Sequence, residues 1–244
     1  MIGYMKNMIF KIIKKKLSKY RINRFIKSRQ FFRWMLKKIM YPYGRFIKTP
    51  LNLVRNKNKS ERLLEIGPGI DRLLGFETIN IVWGWNVDYV YDASKKLPFE
   101  SGTFDLIYAS HILEHTPWYD LEATFNEWVR VLKPNGIIEI WIPDGYKLSK
   151  LLCDIEEDIT RDEWEKDSWR PFNEENNPYK WVNGRILYGA IKEYPSWHTA
   201  IITPKYLNMI MTKSGLVKIT RMENDEVRGV DHGWINLGMR GLKP

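Results

Sequence analysis

The stretch Leu63-Leu64-Glu65-Ile66-Gly67-Pro68-Gly69-Ile70 decides the fold. Its apolar start reads as a buried strand, and Gly67-Pro68-Gly69 then forces a tight turn. Glu65 places a carboxylate inside the strand, two residues before the first glycine. Glycines in such a turn let main-chain N–H groups approach a ligand closely, and the segment beyond is expected to open a helix. Taken alone, the same turn serves as a bare structural connection, so what lies downstream decides.

Downstream of Glu61 the chain alternates strand and helix. Strands are predicted at Arg62 to Ile66, Glu77 to Val82, Tyr89 to Tyr91, Phe104 to Ala109 and Ile137 to Ile142. A helix is predicted from Leu121 to Leu132, with Lys133-Pro134-Asn135-Gly136 as the turn after it. Thr203-Pro204 starts a further helix to about Lys213, stopped by Ser214-Gly215. Leu216 to Met222 and Trp234 to Arg240 are expected to close the sheet as an antiparallel pair. This alternation predicts an α/β fold around a mostly parallel, doubly wound sheet. Residues 145–200, rich in Trp, Tyr, Asn and Pro, read as an irregular insertion.

Composition sets the outer limits. The 244 residues suffice for one α/β domain with an appendage. A single cysteine, Cys153, excludes an internal disulfide framework and any Cys-rich zinc site, and no metal ligand set is read from the sequence. The basic start has no signal-peptide cleavage pattern, and no apolar run approaches the ~18–20 residues of a membrane span. A reducing, cytoplasmic setting is expected.

Charge divides the chain into two domains. Of the 39 Lys and Arg residues, 18 lie within residues 1–60, which hold no acid; the rest carries 21 bases against all 29 acids. Residues 1–59 form a basic arm and residues 60–244 an acidic domain. In the arm, Ile9, Ile12, Ile13 and Leu17 recur at helical spacing between lysines, and Phe25, Ile26, Phe32, Met35, Leu36 and Ile39 repeat the pattern. Tyr41-Pro42-Tyr43-Gly44 is expected to end the second helix. Three readings fit: a solvated hairpin capping the domain, an amphipathic helix on an anionic membrane face, or a nucleic-acid contact.

Five pieces in order carry a family resemblance: Leu64-Glu65-Ile66-Gly67-Pro68-Gly69, Asp92-Ala93-Ser94-Lys95-Lys96-Leu97-Pro98-Phe99, Ser101-Gly102-Thr103-Phe104-Asp105-Leu106-Ile107, Ser110-His111-Ile112-Leu113-Glu114-His115 and Arg130-Val131-Leu132-Lys133-Pro134-Asn135-Gly136. Together they resemble the class I S-adenosylmethionine-dependent methyltransferases, in particular the type 11 methyltransferase domain. The resemblance implies a Rossmann-like seven-stranded doubly wound sheet, here with a basic N-terminal helical arm, and S-adenosyl-L-methionine as cofactor. It implies that Glu65 orders the turn, that Gly67, Pro68 and Gly69 pack against the cofactor's tail and ribose, and that Asp92 and Ala93 hold the adenine. Ser110 follows strand four at the carboxyl edge, where ligands of open α/β sheets sit. The family ends strand two with an acid that accepts from the ribose hydroxyls. Here Val82 or Trp83 is expected at that place, so that either Glu77 or Asp88 substitutes or the ribose is held less firmly.

An alcohol acceptor needs a base to take its proton. His111, His115, Asp144 and His198 are the candidates, with His111 and His198 leading; His115 also reads as a residue packing under the site. Asp105 is assigned a structural role. Nucleic-acid amino methyltransferases place Asn/Asp-Pro-Pro-Tyr/Phe after strand four, where this chain has Ser110-His111-Ile112-Leu113, and cytosine C5 chemistry needs a nucleophilic cysteine. Both are disfavoured, ribose methylation is not. The chain further resembles predicted methyltransferases of bacterial surface-polysaccharide synthesis, such as O-antigen. That implies a sugar hydroxyl of a lipid-linked glycan as acceptor, at the inner face of the cytoplasmic membrane. Trp164, Trp169, Tyr179, Trp181, Tyr188 and Trp197 are then candidates for sugar stacking or for insertion core. RNA ribose, a quinone-type acceptor, or a degenerate scaffold role are the alternatives.

Overall fold

The structure, a computed structural model, describes residue 38 and residues 40–157, 178–188 and 197–244. The expected amphipathic segments of the arm up to residue 37, with Trp164 and Trp169, lie outside the described residues. Seven strands form one sheet: β1 (Leu63–Ile66), β2 (Glu77–Asn80), β3 (Tyr89–Val90), β4 (Phe104–Ser110), β5 (Leu132–Pro143), β6 (Val217–Met222) and β7 (Asn236–Leu242). Their order is β3-β2-β1-β4-β5-β7-β6. β1 to β5 run parallel, while β7 is antiparallel to both β5 and β6. The predicted closing pair is therefore present, with β7 inserted between β5 and β6.

The helices are α1 (Thr49–Asn56), α2 (Leu121–Val131), α3 (Gly145–Glu156), α4 (Pro178–Asn183) and α5 (Pro204–Lys213). Along β1, β4, β5 and β7, alternate residues Leu64, Ile66, Ile107, Ala109, Ile138, Ile140, Ile142, Leu237 and Met239 enter the main core. They meet Phe125, Trp128 and Val129 of α2 and Leu207, Ile210 and Met211 of α5. The opposite face holds Phe76, Tyr108, Trp141 and Met222. There Gly238 must lack a side chain, because a Cβ would stand 2.4 Å from the Trp141 ring. Residues 145–156, expected to be irregular, form α3, capped by Asp144 and buried through Leu148, Leu151 and Ile155 against Trp181 and Val182 of α4.

Tyr41-Pro42-Tyr43-Gly44 does not end the helix. Residues 40–43 are helical and run through a π-helical segment, Gly44–Lys48, into α1. Packing overrides turn propensity here: Gly44 is buried where a Cβ would meet Trp83 at 2.5 Å and Val90 at 2.6 Å. Pro50, which has no N–H to donate, sits in the first turn of α1, where the wider segment absorbs the loss. Thr49 Oγ1 donates to Gly44 O (2.8 Å) and accepts from Val90 N (2.9 Å), so this helix covers the exposed edge of β3.

A buried ion pair fixes the amino-terminal edge of the sheet. Arg62 donates from Nε and Nη2 to the two oxygens of Glu77, both at 2.9 Å, and Glu77 is 1% exposed. Asn56 of α1 and the Tyr89 hydroxyl donate to the same carboxylate. The carboxylate thus accepts four hydrogen bonds, compensation that makes a buried pair stable. Arg62→Ala leaves that charge uncompensated and is expected to destabilise the fold by about 3–5 kcal/mol in urea unfolding; a loss below about 1 kcal/mol would refute the role given to the pair.

Candidate active site

The site lies at the carboxyl ends of β1, β2, β3 and β4. Gly67 leaves β1 with φ +73°, and its N–H donates to Ile79 O of β2 (2.8 Å). A Cβ on Gly67 would stand 2.0 Å from Ile112 Cδ1, so the turn passes close over the segment after β4. Around Gly69 the space is open to 4 Å. The helix expected after the turn is absent. Residues 67–76 are bends and turns, tied down by Arg72, which pairs with Asp88 and donates to Phe76 O. Glu65 Oε2 accepts the Leu73 N–H at 2.9 Å and so orders the turn, while burial raises its pKa against that bond and Arg72.

The strand-two position needs correction. β2 ends at Asn80, not at Val82, because Ile79 is level with Ile66 and Asn80 with the turn. Asn80 is thus the residue where the family has its acid; its amide reaches Pro68 O (3.4 Å) and accepts the Val82 N–H (3.2 Å). Neither proposed substitute serves. Glu77 is locked at the opposite end of β2 by Arg62, and Asp88 is spent on Arg72 and the Thr78 N–H.

Asp92, after β3, folds back through Oδ1 onto Ser94 N (2.9 Å) and Oγ (2.7 Å). Among the described residues no bond is made by Asp92 Oδ2 or by the Ala93 N–H, whereas Ala93 O is taken by Trp128 Nε1 (2.8 Å). An acceptor and a donor therefore stand side by side, the complement of the adenine amino group and its neighbouring ring nitrogen. Ser110 ends β4.

His111 takes φ +55°, a conformation costly for a side-chain-bearing residue and common at functional positions. Its Nε2 lies 3.0 Å from Asn236 Oδ1, and since Asn236 Nδ2 donates to Asp231, this nitrogen is the donor. Nδ1 lies 3.4 Å from Glu114 Oε1. All four histidines of the chain gather here: the His232 ring is 3.8 Å from that of His111, and the His198 ring 5.1 Å from that of His115. His198 Nε2 is 3.9 Å from Glu114 Oε1, and His115 Nδ1 is 3.1 Å from Trp197 O. Glu114 is 2% exposed. Burial works to raise its pKa, but His111 first, then His115 and His198, outweigh burial and hold it at about 2. Burial pushes the His198 pKa down against the pull of Glu114, and burial with the charges of His111 and Arg185 pushes His232 to about 3.

Of the four proposed bases, three meet in this cluster. Asp144 does not: its Oδ1 caps α3 through Tyr146 N and Lys147 N and its Oδ2 faces Arg221 at 3.5 Å, so it is a structural cap. Asp105 pairs with Lys133 and takes the Arg62 N–H, in keeping with a structural role. Glu114, Asn236 and His232 received no role from sequence. Glu114 is visible as the acid between two histidines of one segment, whereas no spacing links positions 111, 198, 232 and 236.

A methyltransferase-domain family model matches residues 76–140, from the entry of β2 through most of β5. The seven-stranded sheet has the Rossmann-like methyltransferase fold. Solved structures similar to it include a SAM-dependent methyltransferase of Thermotoga maritima (17% identity, 91% of this chain and 97% of that one, TM-score 0.43). Another is a SAM-dependent methyltransferase of Archaeoglobus fulgidus (14%, 90% and 96%, TM-score 0.44). A third is the Burkholderia thailandensis 1,6-didemethyltoxoflavin-N1-methyltransferase with S-adenosylhomocysteine bound (13%, 88% and 90%, TM-score 0.44). No curated protein matches the chain. The matched domain points to S-adenosylmethionine as the cofactor, and the open space at Gly69, the turn ordered by Glu65 and the edge of Asp92 and Ala93 are the candidate place for it.

Calorimetric titration with S-adenosylhomocysteine is expected to show one site, weakened about tenfold or more by Asp92→Ala, the equivalent of ~1.4 kcal/mol. Equal binding by both proteins would remove Asp92 from the adenine site. Gly67→Ala, which drives a methyl group into Ile112, is expected to abolish binding in the same titration.

Proposed function

We propose that this methyltransferase moves the methyl group of S-adenosylmethionine to a sugar hydroxyl of a lipid-linked or surface glycan, at an anionic membrane face. The observation that carries the reading is the convergence of Glu114 with all the chain's histidines beside the cofactor turn. The cofactor supplies an activated methyl on a sulfonium, so alignment and removal of one proton are what the protein must add. Acceptors that lose no proton before attack need no such cluster; a hydroxyl does. His198 and its neighbours take the hydroxyl proton, and the buried Glu114 carboxylate stabilises the positive charge that results.

Aromatic rings at the same edge suit a sugar. Trp118 and Tyr119, after β4, and Tyr146, after β5, are all exposed, as is Trp197 beside His198. Rings of this kind stack on the apolar faces of carbohydrate. Trp181, by contrast, is buried and stacked on Trp234, so it belongs to the core of the α3–α4 unit rather than to a sugar platform. Support for membrane attachment comes from the acid-free first 60 residues and from Phe46, Leu51 and Val54, which the described helix leaves exposed. No helix among the described residues is long and apolar enough to cross a membrane.

Incubation with labelled S-adenosylmethionine and glycan lipids from a surface-polysaccharide-producing bacterium is the test. Label is expected in the glycan as an alkali-stable ether, and His198→Ala is expected to lower kcat by about 10²–10⁴-fold with cofactor affinity kept. Labelled RNA in place of glycan would make ribose the acceptor; cofactor binding without transfer to any hydroxyl would overturn the reading.

A further inference from the structure

Both Glu114 oxygens are buried without a hydrogen bond among the described residues. A carboxylate removed from water without full compensation is among the costliest groups a core can hold. His111 Nδ1 stands 3.4 Å from one oxygen, but with the Nε2 proton given to Asn236 a neutral ring has no second proton to offer it. Around the carboxylate stand two further imidazoles whose other contacts fix their direction. His115 Nδ1 meets a main-chain carbonyl, Trp197 O, which only accepts, so this nitrogen carries the proton and Nε2 holds the lone pair. His198 turns Nε2 toward Glu114 while the Arg185 main chain engages the ring. A carbonyl on one imidazole nitrogen is the usual second partner of a metal-ligating histidine, since it orients the ring and raises its basicity.

We propose that Glu114, His115 and His198 form a divalent transition-metal site of the zinc type. Their ligand atoms all lie within 4.8 Å of one another. Three donors around one tetrahedral ion stand about 3.4 Å apart, so side-chain rotations of about 1 Å complete the set. Two imidazoles and one carboxylate favour zinc, iron or manganese over magnesium or calcium, which seek oxygen. Three protein ligands leave a fourth position for water or a hydroxyl group. The ion supplies the charge that the Glu114 oxygens lack. It also links two segments 83 residues apart in sequence, Glu114–His115 and His198. The site does not rest on the acceptor proposed above, but with an ion held His198 would be a ligand rather than the base, and the ion would acidify a hydroxyl in its place, the proton leaving to water.

The whole protein, stripped with chelator and dialysed against limiting zinc, is then assayed for metal by mass spectrometry, with cobalt(II) as a visible-absorption probe. One ion per chain is expected, with tetrahedral cobalt bands and a higher melting temperature than in chelator. His115→Ala and His198→Ala are each expected to weaken retention by at least 100-fold, beyond the ~10–100-fold that loss of an outer partner costs. His232→Gln, which removes an imidazole from the neighbourhood but no ligand, is expected to retain the ion. Circular dichroism in chelator separates a lost ligand from a lost fold, and the half-exposed His115 gives the cleaner variant. Wild-type protein without stoichiometric metal, or retention undiminished in both ligand variants, overturns the site.

Discussion

The Glu114 carboxylate is the constraint around which the carboxyl edge of the sheet is arranged. It is enclosed, ionised over the whole neutral range and surrounded by groups from three distant parts of the chain. Its own main-chain oxygen accepts the Thr199 and Ala200 N–H groups at 2.8 and 3.2 Å, which brings the 197–202 segment against the end of β4. Its partner His111 reaches on to Asn236 at the start of β7. Ile112, between them in sequence, is the side chain over which Gly67 turns. A displacement of this one carboxylate would therefore be felt by the cofactor turn, by the late segment and by the strand that completes the sheet.

The two ends of the sheet treat buried charge in opposite ways. At the amino edge, Glu77 accepts four hydrogen bonds, from Arg62, Asn56 and Tyr89, and the group is inert. At the carboxyl edge, Glu114 is left short of donors and His111 sits in an unfavourable backbone conformation. Fully satisfied polar groups specify a fold, whereas under-satisfied ones in a strained setting mark places where something else completes the arrangement. The acidic domain thus keeps its stability and its chemistry at opposite ends of the same strands.

Much of this was legible in the sequence. The strands were readable because buried parallel strands are short apolar runs punctuated by glycine, proline or asparagine, as at Ile66–Gly67 and Leu132–Gly136. The antiparallel closing pair was readable from the two segments Leu216 to Met222 and Trp234 to Arg240 that follow the Ser214-Gly215 helix stop. Three things were not. Tyr41-Pro42-Tyr43-Gly44 has turn composition, but a tertiary pocket formed by Trp83 and Val90 holds it helical. The end of β2 was misplaced because Ile81 and Val82 extend the apolar run past the point where pairing with β1 stops. The histidine cluster was half visible, since the 111–115 segment is local, but the approach of His198, His232 and Asn236 depends on topology that no periodicity encodes. Asp144 looked catalytic because a strand-end acid and a helix cap have the same sequence appearance.

The short connection between β1 and β2 has a consequence for how the chain assembles. Ten residues without a helix join two parallel strands, so Leu64 meets Glu77 after closing a loop of only about a dozen residues. By contrast, β1 meets β4 with Leu64 opposite Ile107, and β5 meets β7 with Ile137 opposite Leu242. Loop-closure entropy therefore favours the β1–β2 and β6–β7 edges, each closed by a short connection, over the long-range docking of β7 on β5. Since β7 supplies Asn236, the partner of His111, the polar cluster depends on that long-range docking, whereas the turn after β1 depends on local closure alone.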